Sequence, residues 1–218
     1  MKRVLIFSVV AAGLFTASFR NNGVVKGEAV KTDATGESAI NYKVTPASNV
    51  EWLAKKVTGQ HNGVVTIKSG ELKAEAGKLV AGKFVMDMRS LKVLDLTDPG
   101  MNGKLSGHLA SDDFFSTDKY PDATFEVVSA VPVFKPVAGK PNYNIKGNLT
   151  IKGITNSITF PATVTISIKE VKAVAQLLID RTDFNIKYGS GKYFEGIGDK
   201  AIDDVFTVKF NLTAKAQK

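Results

Sequence analysis

The 218-residue chain contains no cysteine, only two histidines and a single tryptophan. Without cysteine it has no disulfide, no thiolate metal ligand, no cysteine nucleophile and no lipid-modified cysteine at a processed N-terminus. The two histidines, His61 and His108, are far apart in sequence. The candidate further ligands, Asp112 and Asp113, lie near His108 only, so we predict no metal site. A domain of this size can bury most of its apolar surface without crosslinks, and its core has to hold the fold together.

Long apolar runs are also missing, except at the N-terminus. Lys2 and Arg3 precede a run of apolar and small residues from 4 to 17. This run of about 14 residues suits a secretory signal peptide and falls short of the ~20 that a membrane-spanning helix needs. We expect a signal peptide over residues 1–18, a flexible leader over 19–37 and one domain over 38–218, with the mature protein exported.

Charge of one sign is not concentrated anywhere in the chain. The formal net charge is +8, and loss of Lys2 and Arg3 with the signal peptide would lower it by two. The lysines are scattered singly along strand-like segments, which is typical of solvated faces and protected sheet edges. We therefore predict no nucleic-acid binding and at most a weak contact with an anionic membrane surface.

Alternation of apolar and polar residues with a period of two dominates the rest of the sequence. One predicted strand places Ile158, Phe160, Ala162, Val164, Ile166 and Ile168 on a single face. The same alternation occurs around residues 83–89, 144–151 and 206–214. Strands that are apolar on one face and polar on the other belong to antiparallel sheets.

Shorter strands are predicted at 39–45, 49–56, 64–68, 71–75, 124–134 and 173–179. Turn signals separate them at Ser69-Gly70, Ala76-Gly77, Gly139-Lys140-Pro141 and Lys152-Gly153. One segment, 104–115, has the spacing of a short helix. His61 lies beside Asn62-Gly63, which resembles another turn, and we assign this histidine a structural role.

These patterns predict an all-β protein, an antiparallel barrel of about eight strands with one short helix. A β-sandwich would accommodate the same strands and remains the alternative fold. The strands are long, and closure into a barrel removes exposed edges, so both features favour the barrel. About eight strands enclose an interior that can hold one small ligand.

No catalytic template fits the sequence. The segment Gly189-Ser190-Gly191-Lys192 has some features of a phosphate-binding loop, but Tyr193 stands where Ser or Thr is required. His108 and Asp112 would share one face of the predicted helix, and we expect His108 to order the helix against the barrel by a hydrogen bond to Asp112 or to a backbone group. Arg181 is in phase with the inward residues of its strand, and we expect it to pair with Asp183. That pair would orient a ligand's polar head or close one end of the barrel; the sequence leaves both roles open.

Six short motifs occur in order along the chain: Gly59-Gln60-His61-Asn62-Gly63, Gly82-Lys83-Phe84, Lys104-Leu105-Ser106-Gly107-His108-Leu109, Lys119-Tyr120-Pro121-Asp122-Ala123-Thr124-Phe125, Gly147-Asn148-Leu149-Thr150-Ile151-Lys152-Gly153 and Ile179-Asp180-Arg181-Thr182-Asp183. This series resembles the YceI-like family of polyisoprenoid-binding proteins. A later segment, Tyr188-Gly189-Ser190-Gly191-Lys192-Tyr193-Phe194 with Gly198-Asp199-Lys200-Ala201-Ile202, resembles an exported bacterial subgroup of that family. The resemblance implies a lipocalin-like barrel, a periplasmic location and no established catalytic activity, and we predict no cofactor. It also implies that the partner is an isoprenoid or another lipid-like molecule.

The candidate ligand-binding residues are the large apolar side chains on the predicted inner face, together with the arginine at its end: Phe84, Met86, Met88, Phe114, Phe115, Phe125, Leu149, Ile166, Ile179, Arg181 and Phe206. Alternation identifies the inner face but does not distinguish a hollow interior from a filled one. Two alternatives to the carrier hypothesis therefore stay open. One is an enzyme that uses His108, Asp112 and Arg181, and the other is a filled barrel that acts through its basic surface. A homodimer is also left open.

Overall fold

A computed structural model describes residues 39–218, so the predicted signal peptide and the whole of the predicted leader lie outside the described residues. This part of the chain contains nine β-strands and one α-helix. In chain order they are β1 Ile40–Val44, β2 Asn49–Lys56, β3 Gly59–Glu75, β4 Lys78–Val93, α1 Pro99–Ala110, β5 Asp122–Pro132, β6 Tyr143–Ile151, β7 Ile154–Ile166, β8 Glu170–Asp180 and β9 Val205–Ala216. Within residues 39–218 no helix is long and apolar enough to cross a membrane.

The strands form a closed antiparallel barrel, which confirms the predicted fold class. From β2 to β9 each strand pairs with the next one in the chain, and this includes β4 and β5, which α1 separates in sequence. Pairing of β9 with β2 closes the ring. The first strand, β1, continues the line of β2 between β3 and β9, so nine strands occupy eight positions.

The predicted alternation is clearest in β8. Val171, Ala173, Ala175, Leu177 and Ile179 are buried, and the residues between them are exposed. The predicted apolar face of β7 is also turned inward up to Ile166, but Ile168 is 76% exposed because β7 ends before it. The turn at Lys152-Gly153 is confirmed, since both residues adopt left-handed backbone angles between β6 and β7.

Two predicted boundaries in the N-terminal half are wrong. Ser69-Gly70 is not a turn, because β3 runs through it with a register shift between Ile67 and Ser69. Gly70 lies where a Cβ atom would come within 2.7 Å of Val44 and 2.8 Å of Phe84. Glycine is present there for close packing, which a sequence pattern cannot distinguish from turn formation. Likewise Asn62-Gly63 lies inside β3, so His61 is a strand residue.

The predicted helix at 104–115 exists but is shifted toward the N-terminus. It begins at Pro99, and the Asp98 Oδ1 accepts a hydrogen bond of 2.8 Å from the Met101 backbone N–H. Aspartate before proline is a typical helix start. The helix ends at Ala110, and turns follow in which the Phe114 N–H donates to the Ser111 carbonyl. Residues 112–115 are therefore not helical.

Candidate functional site

The interior of the barrel contains two adjoining cavities. We call the end of the barrel that carries α1 the lower end, and the end that carries the connections 133–142 and 167–169 the upper end. The upper cavity has a volume of about 110 Å³ and the lower cavity about 140 Å³. They share wall residues from five strands, which are Val50, Met86, Leu149, Ile179 and Val208.

The upper cavity is apolar throughout. Its aromatic rings form a chain across the interior, with centroid distances of 6.4 Å for Phe84–Phe125, 5.6 Å for Phe125–Phe160 and 5.9 Å for Phe160–Phe210. Aliphatic residues of all the strands from β2 to β9 complete the wall. No charged or hydrogen-bonding side chain is among its lining residues, so this cavity is suited to a hydrocarbon chain.

The lower cavity is bounded by α1, by the turns after it and by the segment that follows β8. The helix contributes Leu109, and the turns after it contribute Phe114 and Phe115. The segment that follows β8 contributes Ile186 and Ile202. Polar groups also occur here, because Arg181 and Asp203 belong to the wall together with the indole of Trp52.

Ten of the eleven predicted ligand-binding residues line one cavity or both. Phe84 and Phe125 line the upper cavity alone, whereas the lower cavity alone is lined by Met88, Phe114, Phe115, Arg181 and Phe206. Met86, Leu149 and Ile179 line both. Ile166 lines neither, and it packs half-buried against the core near the end of β7.

Several wall residues were not among the predicted ones. Phe160 and Phe210 lie on the predicted inner faces of β7 and β9, and the alternation was sufficient to find them. Trp52 lies on a strand whose burial pattern is irregular, so alternation gave no signal for its direction. The tryptophan appears in sequence only as a lone large aromatic residue.

Arg181 is buried, at 5% exposure, and all of its donor groups are used within the chain. Its Nε donates to the Asp203 carbonyl at 3.0 Å, and its Nη1 donates to the carbonyls of Ile186 and Tyr188, both at 2.8 Å. Its Nη2 donates to the Ile202 carbonyl at 3.0 Å and to the Asp204 carboxylate at 3.3 Å. These five bonds equal the five N–H groups of a guanidinium.

The acidic partner of Arg181 is Asp204, and the predicted pairing with Asp183 is wrong. Asp183 is exposed in the short 3-10 helix Arg181–Phe184, which turns its side chain away from the strand's inner face. Burial lowers the pKa of Arg181 below its ordinary value, and the negative charge of Asp204 opposes that effect. Arg181 holds together the segments 186–188 and 202–204 at the lower end. Of the two roles that the sequence leaves open for it, this arrangement corresponds to closing one end of the barrel.

Asp180 caps the same 3-10 helix. Its Oδ1 accepts hydrogen bonds from the Thr182 backbone N–H at 2.8 Å and from the Thr182 hydroxyl at 2.7 Å. Burial raises the pKa of Asp180, but these two hydrogen bonds and the positive charges of Lys192 and Arg181 together outweigh burial, so the net pKa is below the usual value for aspartate.

His108 is held by aromatic rings and by a carboxylate other than the predicted one. The ring packs edge-on against Phe114 and Tyr188, with centroid distances of 4.9 Å and 4.6 Å. Its Nε2 lies 3.1 Å from Asp113 Oδ2. Asp112 interacts elsewhere, accepting from Ser116 Oγ at 2.5 Å and from Lys119 Nζ at 2.6 Å.

The Lys119 hydrogen bond lowers the pKa of Asp112, and the Ser116 hydroxyl adds to that effect. His108, Asp112 and Arg181 thus have separate partners and do not form one linked group. His61 likewise pairs with Asp95, at 2.7 Å between Nδ1 and Oδ2, and Asp95 also accepts from the Asn62 N–H. Within residues 39–218 no group of three metal-ligating side chains occurs.

An eight-position antiparallel barrel with apolar interior cavities defines a lipocalin-like architecture. The family model of the YceI-like domain matches residues 31–214, and the chain therefore belongs to the YceI-like family. This confirms the resemblance seen in the sequence motifs. Among curated protein sequences none matches the chain.

Several solved structures are similar to this chain. The crystal structure of Burkholderia cenocepacia BcnA has a TM-score of 0.60 and 27% identity, covering 78% of this chain and 98% of that one. A polyisoprenoid binding domain from Saccharophagus degradans, described as implicated in plant cell wall breakdown, has a TM-score of 0.58 and 20% identity. That match covers 81% of this chain and 98% of the other, and at this identity it supports the fold alone.

Proposed function

We propose that the protein binds the apolar chain of a lipid-like amphiphile inside the barrel and sequesters or carries it. Isoprenoid, quinone-like and fatty-acid-like molecules all have such a chain. The observation that carries the proposal is the pair of adjoining cavities, one lined only by apolar residues and the other with polar groups at the lower end of the barrel.

Burial of the apolar chain would provide most of the affinity. Each methylene transferred from water contributes about 0.8 kcal/mol, which corresponds to roughly fourfold in affinity. Affinity should therefore rise with tail length until the cavities are full. The apolar wall offers little to distinguish one hydrocarbon tail from another, so tolerance of tail chemistry is expected.

A long tail needs more room than the two cavities provide, because typical ligand pockets measure roughly 300–1,000 Å³. Met86 lies in the wall that both cavities share, and Met88 is in the lower one. Methionine is unbranched and changes rotamer easily. We expect these side chains to move when a tail is bound and to join the two cavities.

A non-catalytic role agrees best with the polar residues of the lower end. His108, Asp112 and Arg181, the candidates for an enzyme, are each engaged by different partners. The alternative enzyme predicts that His108→Ala abolishes turnover of an amphiphile and leaves its binding intact. The carrier predicts no turnover in either form of the protein, measured by mass spectrometry of the recovered ligand.

A cavity-filling variant tests the proposed site. Val208 lines both cavities, whereas Asn211 lies exposed on the same strand. Val208→Phe should weaken binding of a fluorescent fatty-acid probe at least tenfold, and Asn211→Phe, which adds the same ring outside the barrel, should leave binding unchanged. Equal affinities for both variants and the wild type would place the ligand elsewhere.

We also propose that the protein is exported to the periplasm, in accordance with the signal-like residues 1–18. Edman sequencing of the protein from a periplasmic fraction should begin near residue 19. Recovery of the intact N-terminus from the cytoplasm would contradict export.

A weak contact with anionic membrane is the remaining part of the proposal. Phe134 and Val137 in one upper connection and Ile168 in the other are 86%, 70% and 76% exposed. Lys135, Lys140 and Lys169 accompany them in the same connections. Exposed apolar side chains next to lysines in the same connections are suited to contact with a negatively charged bilayer surface.

Phe134→Ser combined with Ile168→Ser should reduce co-sedimentation with phosphatidylglycerol vesicles several-fold. Leu178→Ser is the matched control, because Leu178 is 71% exposed on the outer face of β8. An equal effect of the control, or equal binding to neutral phosphatidylcholine vesicles, would contradict docking by the upper connections.

A further inference from the structure

The lone tryptophan lies at the wall of the lower cavity. Trp52 is on β2, where it pairs with Gly63 of β3 on one side and with Val208 of β9 on the other. It lies on the same face of β2 as Val50 and Ala54, and all three residues line the lower cavity. Trp52 is also among the residues that line a further pocket, together with Glu51 and Lys209.

Gly63 allows the indole to take this position. A Cβ atom at Gly63 would come within 2.6 Å of Trp52 Cζ2 and 2.7 Å of Trp52 Cε2. The ring therefore lies directly on the backbone of β3. This close contact fixes the indole, so its N–H group is held in one place.

The Trp52 Nε1 is buried and has no acceptor. Across residues 39–218 it is the only buried side-chain nitrogen or oxygen atom without a hydrogen-bond partner. Buried polar groups in folded proteins are almost always paired, and an exception calls for an explanation. An indole N–H only donates, so the missing partner is an acceptor.

The other donor side chain in the wall cannot serve a guest molecule. Arg181 uses all five of its N–H groups on four carbonyls and Asp204. The upper cavity has no hydrogen-bonding side chain. Among the residues that line the lower cavity, Trp52 therefore carries the one side-chain donor group without a partner, and no residue in the wall of the upper cavity carries a side-chain donor.

Resting on the proposed function, we propose that Trp52 donates a hydrogen bond to an oxygen atom of the bound amphiphile. The acceptor is a neutral carbonyl, hydroxyl or ether oxygen, because an anion in this apolar wall would lose its hydration without a free cation to pair with. The oxygen lies in the lower cavity, and the hydrocarbon tail extends into the upper one. The barrel thereby prefers oxygen-bearing chains to pure hydrocarbons.

Two ligands of equal chain length test this preference, 2-nonadecanone and n-nonadecane, both delivered from cyclodextrin. The wild type should bind the ketone about tenfold more tightly than the alkane, as expected for one buried hydrogen bond. Trp52→Phe keeps an aromatic ring and removes the donor. It should reduce affinity for the ketone about tenfold and affinity for the alkane less than twofold.

Phe160→Leu provides the control, because Phe160 lines only the upper cavity. This substitution should lower the affinity for the ketone and the affinity for the alkane by the same factor. A second measurement needs no variant, since the chain has one tryptophan and thus one indole cross-peak in a ¹H–¹⁵N spectrum. The ketone should shift that indole proton downfield, and the alkane should not.

Equal affinities for ketone and alkane, with no difference in the indole shift, would overturn the hydrogen bond and leave the apolar carrier in place. Failure of the wild type to bind either ligand would overturn both the carrier and this inference. Two results together would support the assignment. The ketone alone shifts the indole proton downfield in the wild type, and Trp52→Phe loses affinity for the ketone but not for the alkane.

Discussion

Arg181 shows how one residue can close the end of a barrel. Its guanidinium joins the carbonyls of two segments that are otherwise loops, 186–188 and 202–203, and also reaches Asp204. Arginine suits this position because its five donors point in fixed directions, whereas lysine has three on a flexible stem. These bonds replace the water that the buried carbonyls would otherwise need.

Substitution of Arg181 should therefore be costly. Arg181→Met should lower the free energy of unfolding by about 3 kcal/mol, because it leaves buried acceptors and the Asp204 carboxylate without their partner. Arg181→Lys should lower the free energy of unfolding by a smaller amount. Urea denaturation monitored by circular dichroism measures both, and a loss below about 0.5 kcal/mol in Arg181→Met would contradict the closing role.

Asp180 makes stability depend on pH. Its pKa in the folded protein is lowered, so its ionised form stabilises the fold above the unfolded aspartate value of about 3.9. That contribution is lost as the pH falls through the folded pKa. Asp180→Asn should be about 1 kcal/mol less stable at pH 7, and its deficit should shrink below pH 4. A deficit that stays constant down to pH 3 would contradict this account.

The sequence predicted the direction of Arg181 but not its partner. Phase with Leu177 and Ile179 placed the side chain inward, as the structure has it. The partner is Asp204, since the chain turns into a 3-10 helix at Arg181 and moves Asp183 outward. Such a change of local geometry is not encoded in a period of two. The orphan N–H of Trp52 could not be predicted either, because it depends on what surrounds the ring.

At the scale of elements, glycine has opposite meanings in β3 and α1. A Cβ atom at Gly63 would lie 1.8 Å from the Lys92 carbonyl oxygen, whereas one at Gly103 would meet nothing within 4 Å. The first glycine permits close approach of strands, and the second only weakens a helix. Both look alike in sequence.

The same substitution should thus have opposite effects at the two positions. Gly103→Ala should stabilise the protein by up to about 1 kcal/mol through helix propensity. Gly63→Ala should destabilise it by several kcal/mol, because the strands and the Trp52 ring would have to move apart. Thermal unfolding of both variants would show this difference, and a loss of stability in Gly103→Ala would contradict the open surroundings of that residue.

The elements with clean alternation were predicted well, and those with local exceptions were not. β2 was predicted with its observed bounds, and β6–β9 within a few residues. β3 was divided at Gly70, because glycine after serine resembles a turn unless the packing of Val44 and Phe84 is known. The predicted helix begins and ends too late, because the prediction rests on the spacing of apolar residues and not on the helix-start signal at Asp98–Pro99.

At the scale of the whole molecule, the closed ring explains why an apolar interior can be retained. Alternation places apolar side chains inside most clearly in β6, β7 and β8, and closure of the ring leaves no edge for aggregation. The sequence could not tell whether that interior is filled, because filling depends on the volumes of side chains from strands far apart in the chain. The structure shows two cavities that share five wall residues.

Native mass spectrometry of the protein purified from its producing cells, followed by organic extraction, tests the carrier most directly. We expect a stoichiometric additional mass that extracts as an oxygen-bearing lipid and is absent from Val208→Phe. A bare polypeptide mass that stays unchanged after incubation with isoprenoid alcohols, quinones and fatty acids would contradict the account.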